Sequence, residues 1–436
     1  MKFLLALILI STQMVNSSLP EFFGSGTSTS PIGNQASFDL NDPNNIYYTP
    51  AFLGFAKKVS ATATAYVIDT DFKDINGIVK SNSTTGETGT TTTTGSANTN
   101  YQSVNSAGVS IVLPIRFETA GALGISYFGP IGTVTETDSG DPVLPEYVMY
   151  RSRYKRSQIH VNYGHALNDN WALSFGTHIG FQASARVSTN VSLGDSFGSR
   201  GASQTKISPS LGLIFSLVRK DDDSRYYFTF QQEMKSNLET IATGDISDPP
   251  LTLINIGIDS MMYYDPHTFR FGSSFHFENF EFYGSFEYQL WDKYKSPILL
   301  VSNKGGTVRG SSNYEKLKTK NIFIPKLGVK YMPHYRWGLM AGAFYRPTPI
   351  DSDFSGAGNS IDTDVLGLTS GLTYDFRMFK YDFQIGFSGQ YHMLSDQKVT
   401  KTTGQENGNT GSKIGAPGYD VGGSVIVMQS GIKVGF

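Results

Sequence analysis

In several segments of this sequence apolar and polar residues alternate, and five basic side chains lie at the polar positions of these segments. A cation there could bind a carboxylate, because an anion that leaves water needs a cation or hydrogen-bond donors to offset its desolvation. Acidic residues such as Glu281 and Glu287 share the same parity, so ion pairs within the protein are the alternative, and the commoner, use of such cations. The candidates for binding a ligand carboxylate are Arg116, Arg186, Arg270, Lys330 and Arg346.

The sequence motifs that resemble those of enzymes or metal sites give little support for catalysis or metal binding. Segment 194–198 (GDSFG) fits the pattern Gly-x-Ser-x-Gly, but a nucleophile elbow lies between a strand and a helix, and this segment is a polar loop. The seven His residues are scattered, without the spacing of a metal site. The Asp-x-Asp pairs at 69–71, 351–353 and 362–364 fit solvated loops better than ion sites. We expect no enzyme activity, no metal and no cofactor.

Composition favours a protein built from strands with one apolar and one polar face. Hydrophobic residues make up only 39%, yet aromatic residues reach 13% and there are 46 Gly, a mixture that argues against helical membrane spans. A net charge of -2 leaves no basic surface for nucleic acid. Cysteine is absent, so disulfides and thiol chemistry are excluded.

The first residues have the pattern of a cleaved secretory signal. Lys2 is followed by the apolar run FLLALILI, and Val15-Asn16-Ser17 provides small residues for cleavage. This run is far shorter than the roughly 20 residues of a membrane-spanning helix. We predict a signal peptide over 1–17 and, because no other stretch is apolar enough for a helix, membrane residence as strands.

From residue 59 onward, apolar and polar residues alternate to the end of the chain. Segment 280–291 shows this most clearly, with Phe, Tyr and Leu on one face and Glu, Ser and Gln on the other. Segments 171–186 and 381–393 repeat the pattern, and such strands are long enough to cross a bilayer. A soluble β-sandwich also alternates, so one strand decides little.

The connections between the strands are alternately short and long. Tight turns such as 168–170 and 333–336 are separated by long polar segments such as 131–149 and 240–266, which is the asymmetry of outer-membrane barrels. The Thr-rich segment 81–96 has too little apolar surface to pack and is predicted to be a mobile surface loop. The count predicts an all-β, 14-stranded antiparallel transmembrane β-barrel with strands at 59–72, 106–117, 121–130, 150–165, 171–186, 207–218, 226–239, 267–277, 280–291, 321–332, 337–346, 363–376, 381–394 and 421–436.

Segment 42–51 (DPNNIYYTPA) resembles the N-terminal hatch motif of the long-chain fatty acid and aromatic-hydrocarbon outer-membrane transporters, the FadL type. The family motif ends in Asn-Pro-Ala, and here Thr49 stands in place of the Asn. The predicted hatch residues are Tyr48, Thr49, Pro50 and Ala51. Weaker similarities, which together cover nearly the whole mature chain, lie at 208–217, 286–291, 326–331 and 341–350.

The resemblance implies a division into an N-terminal hatch that plugs the lumen, 18–58, and a barrel, 59–436. It also implies a ligand path from the extracellular loops into the barrel, with a lateral exit at a kinked third strand. In this sequence the third strand ends in Phe128, Gly129 and Pro130. Because proline donates no ladder hydrogen bond and glycine tolerates unusual dihedral angles, the wall could open there, or the strand could simply end.

The function that follows is passive import of hydrophobic compounds, with long-chain fatty acids first and aromatic hydrocarbons second. We expect a multi-pass monomer in the outer membrane of a Gram-negative bacterium, in contact with its ligand and outer-membrane lipid but not with nucleic acid. Two alternatives remain open. One is a water-filled general porin, and the other is an outer-membrane esterase that uses Ser196.

Overall fold

Fourteen strands of one large sheet close into a ring in the computed structural model, among the residues that it describes. Those residues are 19–82, 91–97, 99, 101, 103–116, 120–131, 145–150, 156–192, 198–247, 250–295, 300–303, 318–351, 360–400, 413–414 and 418–436. The barrel strands are β1 (Ser60–Phe72), β2 (Val104–Arg116), β3 (Ala120–Pro130), β4 (Gln158–Ala166), β5 (Trp171–Ser192), β6 (Gly198–Lys220), β7 (Ser224–Gln231), β8 (His267–Phe277), β9 (Phe280–Leu290), β10 (Ile322–His334), β11 (Trp337–Arg346), β12 (Val365–Met378), β13 (Tyr381–Thr400) and β14 (Gly418–Gly435).

Each barrel strand pairs antiparallel with the next along the chain, and the last strand closes on the first. The register of closure runs from Ser60 opposite Gly435 to Phe72 opposite Gly423. A closed ring leaves no unpaired strand edge, which is what a lipid environment demands of a sheet. The predicted closed 14-stranded antiparallel barrel is confirmed.

The two faces of the ring differ as the alternation predicts. On β9, Phe282 and Tyr288 are 47% and 40% exposed on the outside, whereas Glu281 and Glu287 are buried on the inside. Exposed rings and aliphatic chains of this kind recur on the outer surface of the other strands. An apolar band of this extent suits contact with lipid and not with water.

The sequence-based bounds of the seventh strand are wrong. The prediction of 226–239 ran two strands together, because β7 ends at Gln231 and a separate strand, Met234–Ser247, then leaves the ring. This strand pairs antiparallel with Pro250–Asp265 and parallel with the outer part of β5. The segment 240–266 is therefore not a polar loop but mostly a hairpin. Alternation continues across the junction, so periodicity does not mark the point of departure.

Two further predictions of local structure are also wrong. The fourth strand begins at Gln158 and not at residue 150. In the Thr-rich segment predicted as a loop, Thr91–Ala97 forms a strand that pairs with Ile75–Asn82, since β-branched Thr favours extended backbone. Residues 83–90 lie outside the described residues. Lys413–Ile414 joins this small sheet, Glu146–Tyr147 pairs with Ser360–Ile361, and Leu300–Asn303 pairs with the hairpin strand Pro250–Asp265.

The N-terminal segment, residues 19–58, folds into short helical turns that are mostly buried. These are the α-helices Leu19–Phe23 and Asn45–Tyr48 and the 3-10 helices Ser30–Ile32 and Pro50–Phe55. The turn Ser30–Ile32 contacts β10 to β13, whereas Pro50–Phe55 contacts β3 to β6. No helix in the described part of the chain is long and apolar enough to cross a membrane. The predicted signal peptide, 1–17, lies outside the described residues.

Candidate functional site

Strand glycines make room for the first half of the N-terminal segment. A Cβ atom at Gly328 or Gly342 would collide with the backbone of Ile32 and Gly33. Gly33 itself has a φ of +90°, a left-handed conformation that glycine adopts without steric cost. The Oγ1 of Thr369 donates a hydrogen bond of 2.8 Å to the carbonyl oxygen of Pro31 and accepts one of 3.1 Å from the Gly33 N–H. The turn is thus held by close backbone approach and by hydrogen bonds.

A second pair of glycines accommodates the other half of the segment. A Cβ at Gly124 would lie 2.7 Å from Cδ1 of Leu53, and one at Gly164 would lie 2.6 Å from Cβ of Leu53. Both distances are below van der Waals contact, so larger residues would displace Pro50–Phe55. The two halves of the segment therefore dock on opposite parts of the inner wall.

The four predicted hatch residues are all buried in this segment. The Tyr48 hydroxyl accepts the Ser25 N–H at 3.2 Å, and burial raises the pKa of this hydroxyl. Thr49, where the family has Asn, places its Oγ1 3.0 Å from Oγ of Ser216 on β6. Pro50 begins a 3-10 helix at a position where a missing N–H costs nothing. Their role as a hatch stays a prediction.

Arg270 and Lys326 converge on one buried carboxylate, that of Glu287. The Nε of Arg270 lies 3.2 Å and the Nζ of Lys326 2.5 Å from Oε1 of Glu287. Arg270 also donates to Oε1 of Gln231 at 3.0 Å and to the Tyr47 hydroxyl at 3.1 Å, and Lys326 donates to the carbonyl oxygen of Asn34 at 2.9 Å. These cations therefore link the wall to the N-terminal segment.

The other predicted cations are not brought together with Arg270. Arg346 makes hydrogen bonds of 3.0 and 3.2 Å with both carboxylate oxygens of Asp362, and Lys330 lies 3.2 Å from Glu281 near the short-turn end. Arg186 is exposed on the outer part of β5. Arg116 ends β2, and its side chain lies outside the described residues. For Arg270, Lys330 and Arg346 the structure shows internal ion pairs.

A cavity lies between the N-terminal segment and β9 to β13. Sequence reasoning missed most of its lining. Lys326 has the same strand parity as Lys330, four residues away, so the parity rule could have found it. Asn34 carries no such signal. The lining residues are Glu21, Phe22, Asn34, Glu287, Ile324, Lys326, Phe344, Arg346, Val365 and His392.

Aromatic rings lead from the end of β1 toward this cavity. Phe72 stacks on Tyr147 with ring centroids 4.4 Å apart and contacts Tyr150 at 5.1 Å. Tyr150 lies 6.0 Å from Phe22. On the far side of the cavity Phe344 lies 5.2 Å from the His392 ring. These aromatic side chains form a mainly apolar column. The column begins at the end of the barrel that carries the long connections between strands.

The third strand is continuous with its neighbours over most of its length. β3 pairs with β2 from Ala120 to Pro130 and with β4 from Gly121 to Phe128, in both cases without a register shift. Gly129 and Pro130 pair only with β2. The wall thus loses one partner strand where the kink is expected, but the lateral opening itself stays a prediction.

A closed ring with a lipid-compatible outer band and a buried polar inner face defines a transmembrane β-barrel. The chain belongs to the family described as "Outer membrane protein transport protein (OMPP1/FadL/TodX)", whose model matches residues 7–430. It is a family of outer-membrane transporters for hydrophobic substrates. The resemblance seen in the sequence is confirmed.

Individual relatives are distant. Alkane uptake protein A of Marinobacter nauticus is 27% identical over 165 residues, which is 37% of this chain and 35% of that protein, about a third of its length. A FadL homologue of Pseudomonas aeruginosa has a TM-score of 0.62 at 16% identity, with 97% of this chain and 98% of that chain covered. The P. putida toluene transporter TodX has a TM-score of 0.52 at 13% identity, with 95% and 99% covered. At these identities the structures show a shared fold.

Proposed function

We propose that this protein is a monomeric channel that imports long-chain hydrophobic molecules by passive diffusion through the outer membrane of a Gram-negative bacterium. The observation that carries the proposal is the column of rings from Phe72 to Phe22, which leads to a cavity lined by Lys326 and Arg346. Aromatic side chains bind apolar chains over a large area. The name of the alkane uptake relative supports an apolar substrate class.

Long-chain fatty acids are the first candidate substrate. Their carboxylate would need a cation inside the lumen, and Lys326 and Arg346 both line the cavity. Both are already paired, with Glu287 and Asp362. An incoming carboxylate would therefore compete with a protein carboxylate for its cation, which weakens binding and eases release.

Hydrocarbons, both alkanes and aromatic compounds, are the second candidate substrate. The ion pairs of Lys326 and Arg346 favour them, because these cations are already neutralised within the protein. A ligand without charge fills the apolar column and needs no exchange of carboxylates. The two candidates differ in whether Arg346 contributes to transport.

In this proposal a signal over 1–17 directs export, residues 18–58 act as the hatch and 59–436 form the barrel. The glycine contacts and the hydrogen bonds of Thr369 support a plug that docks on the inner wall. The hatch residues Tyr48 to Ala51 hold its inner end, and the ligand leaves beside Phe128, Gly129 and Pro130. Ser196, on which the esterase alternative depends, lies outside the described residues.

Uptake by a charge-balanced double variant tests the carboxylate site. We expect Arg346→Met with Asp362→Asn to lower the ratio of oleate to hexadecane uptake by about tenfold, because charge-assisted hydrogen bonds are worth about 1.5–3 kcal/mol. Uptake of both labelled compounds is measured in a Gram-negative host that lacks its own channel of this family. Lys330→Met with Glu281→Gln, at the other end of the lumen, is the control.

The outcomes separate the candidates. An unchanged ratio with hexadecane uptake intact would reject carboxylate binding at Arg346 and leave Lys326 as the only cavity cation to test among the described residues. Uptake of hexadecane but not of oleate by the native protein would leave hydrocarbons as the substrate class. If the native protein raises the uptake of neither compound above that of the empty host, the transport proposal itself is wrong.

A further inference from the structure

Three polar side chains cross the inner faces of β2, β3 and β4 in one row. Ser110 lies opposite Ser126, and Ser126 lies opposite His160. Their exposed fractions are 1%, 0% and 0%. Ser110, Ser126 and His160 are called the polar row. Because cross-strand partners on one face are close neighbours, the row presents its polar atoms side by side at the middle of β3.

The side-chain polar atoms of the row have no hydrogen-bond partner among the described residues. This holds for both hydroxyl oxygens and for both ring nitrogens of His160. His178, the next residue along the same row on β5, is different, since its Nε2 lies 2.9 Å from the carbonyl oxygen of Gln232 and its Nδ1 lies 3.3 Å from the Gln231 amide. Unpaired buried polar groups are costly, so a ligand that supplied hydrogen-bond partners to these adjacent groups would be stabilised there.

The His160 end of the row faces the N-terminal segment. The ring of Tyr47 packs edge-on to the His160 ring with centroids 5.3 Å apart, and the Phe128 ring lies 6.1 Å from it. The Tyr47 hydroxyl is held by Arg270. A ligand would therefore reach the row when Tyr47 moves. It would then lie beside β3, the strand whose last residues, Gly129 and Pro130, pair with β2 only.

We propose that the polar row binds the uncharged, hydroxyl-bearing head of a transported molecule, such as an alcohol or an undissociated acid. A hydroxyl donates one hydrogen bond and accepts others, and two serines with a neutral imidazole supply both kinds of partner. A carboxylate would find no formal charge in the row, and Arg270 already donates to Glu287, Gln231 and Tyr47. A hydrocarbon would leave the row unpaired. The inference rests on the transport function proposed above.

Matched substrates test the inference. Uptake of decanol and decane is compared in the same host for the native protein, Ser126→Ala and His160→Leu. We expect the ratio of decanol to decane uptake to fall about two- to tenfold for each hydrogen bond lost. Ser388→Ala is the control, because Ser388 is another buried serine without a hydrogen-bond partner among the described residues and lies on β13, away from the row.

A spectroscopic measurement makes the test independent of transport rate. In detergent, the isotope-labelled ring signals of His160 should shift when decanol is added and stay in place when decane is added, and His160→Leu assigns those signals. A decanol-to-decane ratio that is unchanged, together with unshifted signals, would mean that the row holds only water, and the inference would be wrong. If decane itself is not carried by the native protein, the transport proposal fails first and this inference fails with it.

Discussion

At the scale of single residues, the lumen is organised by carboxylates that neutralise predicted ligand-binding cations. Glu287 is shared by Arg270 and Lys326, and it is only 4% exposed. Taking two cations out of water is costly unless they are paired. Glu287 is therefore a structural residue that also holds Tyr47 in place through Arg270. Three of the cations that look free for a ligand in the sequence, Arg270, Lys330 and Arg346, are paired with internal carboxylates.

Removing this charge should destabilise the barrel more than removing an exposed one. We expect Glu287→Gln to lower the free energy of unfolding by about 3–5 kcal/mol, because Arg270 and Lys326 would stay buried without their shared partner. Urea titration in detergent, followed by heat-modifiable migration on gels, measures it. Glu239→Gln, at an exposed site on Met234–Ser247, should change stability by less than about 0.5 kcal/mol. Equal effects of the two changes would contradict the role given to Glu287.

At the scale of elements, the important contact is between barrel strands and the N-terminal segment. Glycines at 328 and 342 let the turn Ser30–Ile32 approach the backbone of β10 and β11. Gln390 and Gln429 add hydrogen bonds of 2.5 and 2.6 Å to the carbonyl oxygen of Phe23. Both halves of the segment are thus hydrogen-bonded to the wall, the second through Tyr47 and Thr49, and the second half also packs beside the polar row.

A larger residue at one of these glycines should loosen the segment without opening the ring. We expect Gly342→Val to cost about 1–3 kcal/mol through overpacking and to make residues 19–58 accessible to protease added to purified protein. Gly389→Val is the matched control, because a Cβ at Gly389 has its nearest neighbour at 4.0 Å. If protease cuts the two variants and the native protein alike, the glycine contacts do not hold the segment.

At the scale of the whole molecule, the N-terminal segment bears on whether the barrel is a channel for hydrophobic molecules or a general porin. An empty barrel of this strand number would enclose a wide lumen. Here the segment 19–58 contacts strands on both sides of the ring. The proposed plug suits diffusion of a hydrophobic molecule along protein surfaces, whereas a general porin needs an open aqueous path.

Ion conductance in planar bilayers distinguishes a plugged barrel from a general porin. The full chain should show little steady ion current, and deletion of residues 19–56 should produce large, stable pores, because the ring keeps its own hydrogen bonds without the segment. A small, unchanged current after deletion would mean that other chain blocks the lumen. Large, stable pores formed by the full chain would favour the porin alternative and count against the plug.

Much of the fold was accessible from the sequence because strand alternation is a local property. Apolar residues at every second position define a strand with two faces, and alternating short and long connections define an antiparallel ring. The number of strands and most of their positions followed from these two patterns. The departure of Met234–Ser247 from the ring did not, because its alternation continues that of β7 and only the choice of partner strand differs.

The sequence by itself determined the class of the molecule, the number of barrel strands and the inward parity of Arg270, Lys330 and Arg346. Only the tertiary structure decided which carboxylate neutralises each cation, which rings line the path and which polar groups stay without a partner. The physical reason is that parity depends on neighbours along one strand, whereas pairing depends on the register between strands and on what fills the ring. Glu287 meets Arg270 directly across the sheet, and Asn34 meets Lys326 because residues far apart in the chain share one enclosed space.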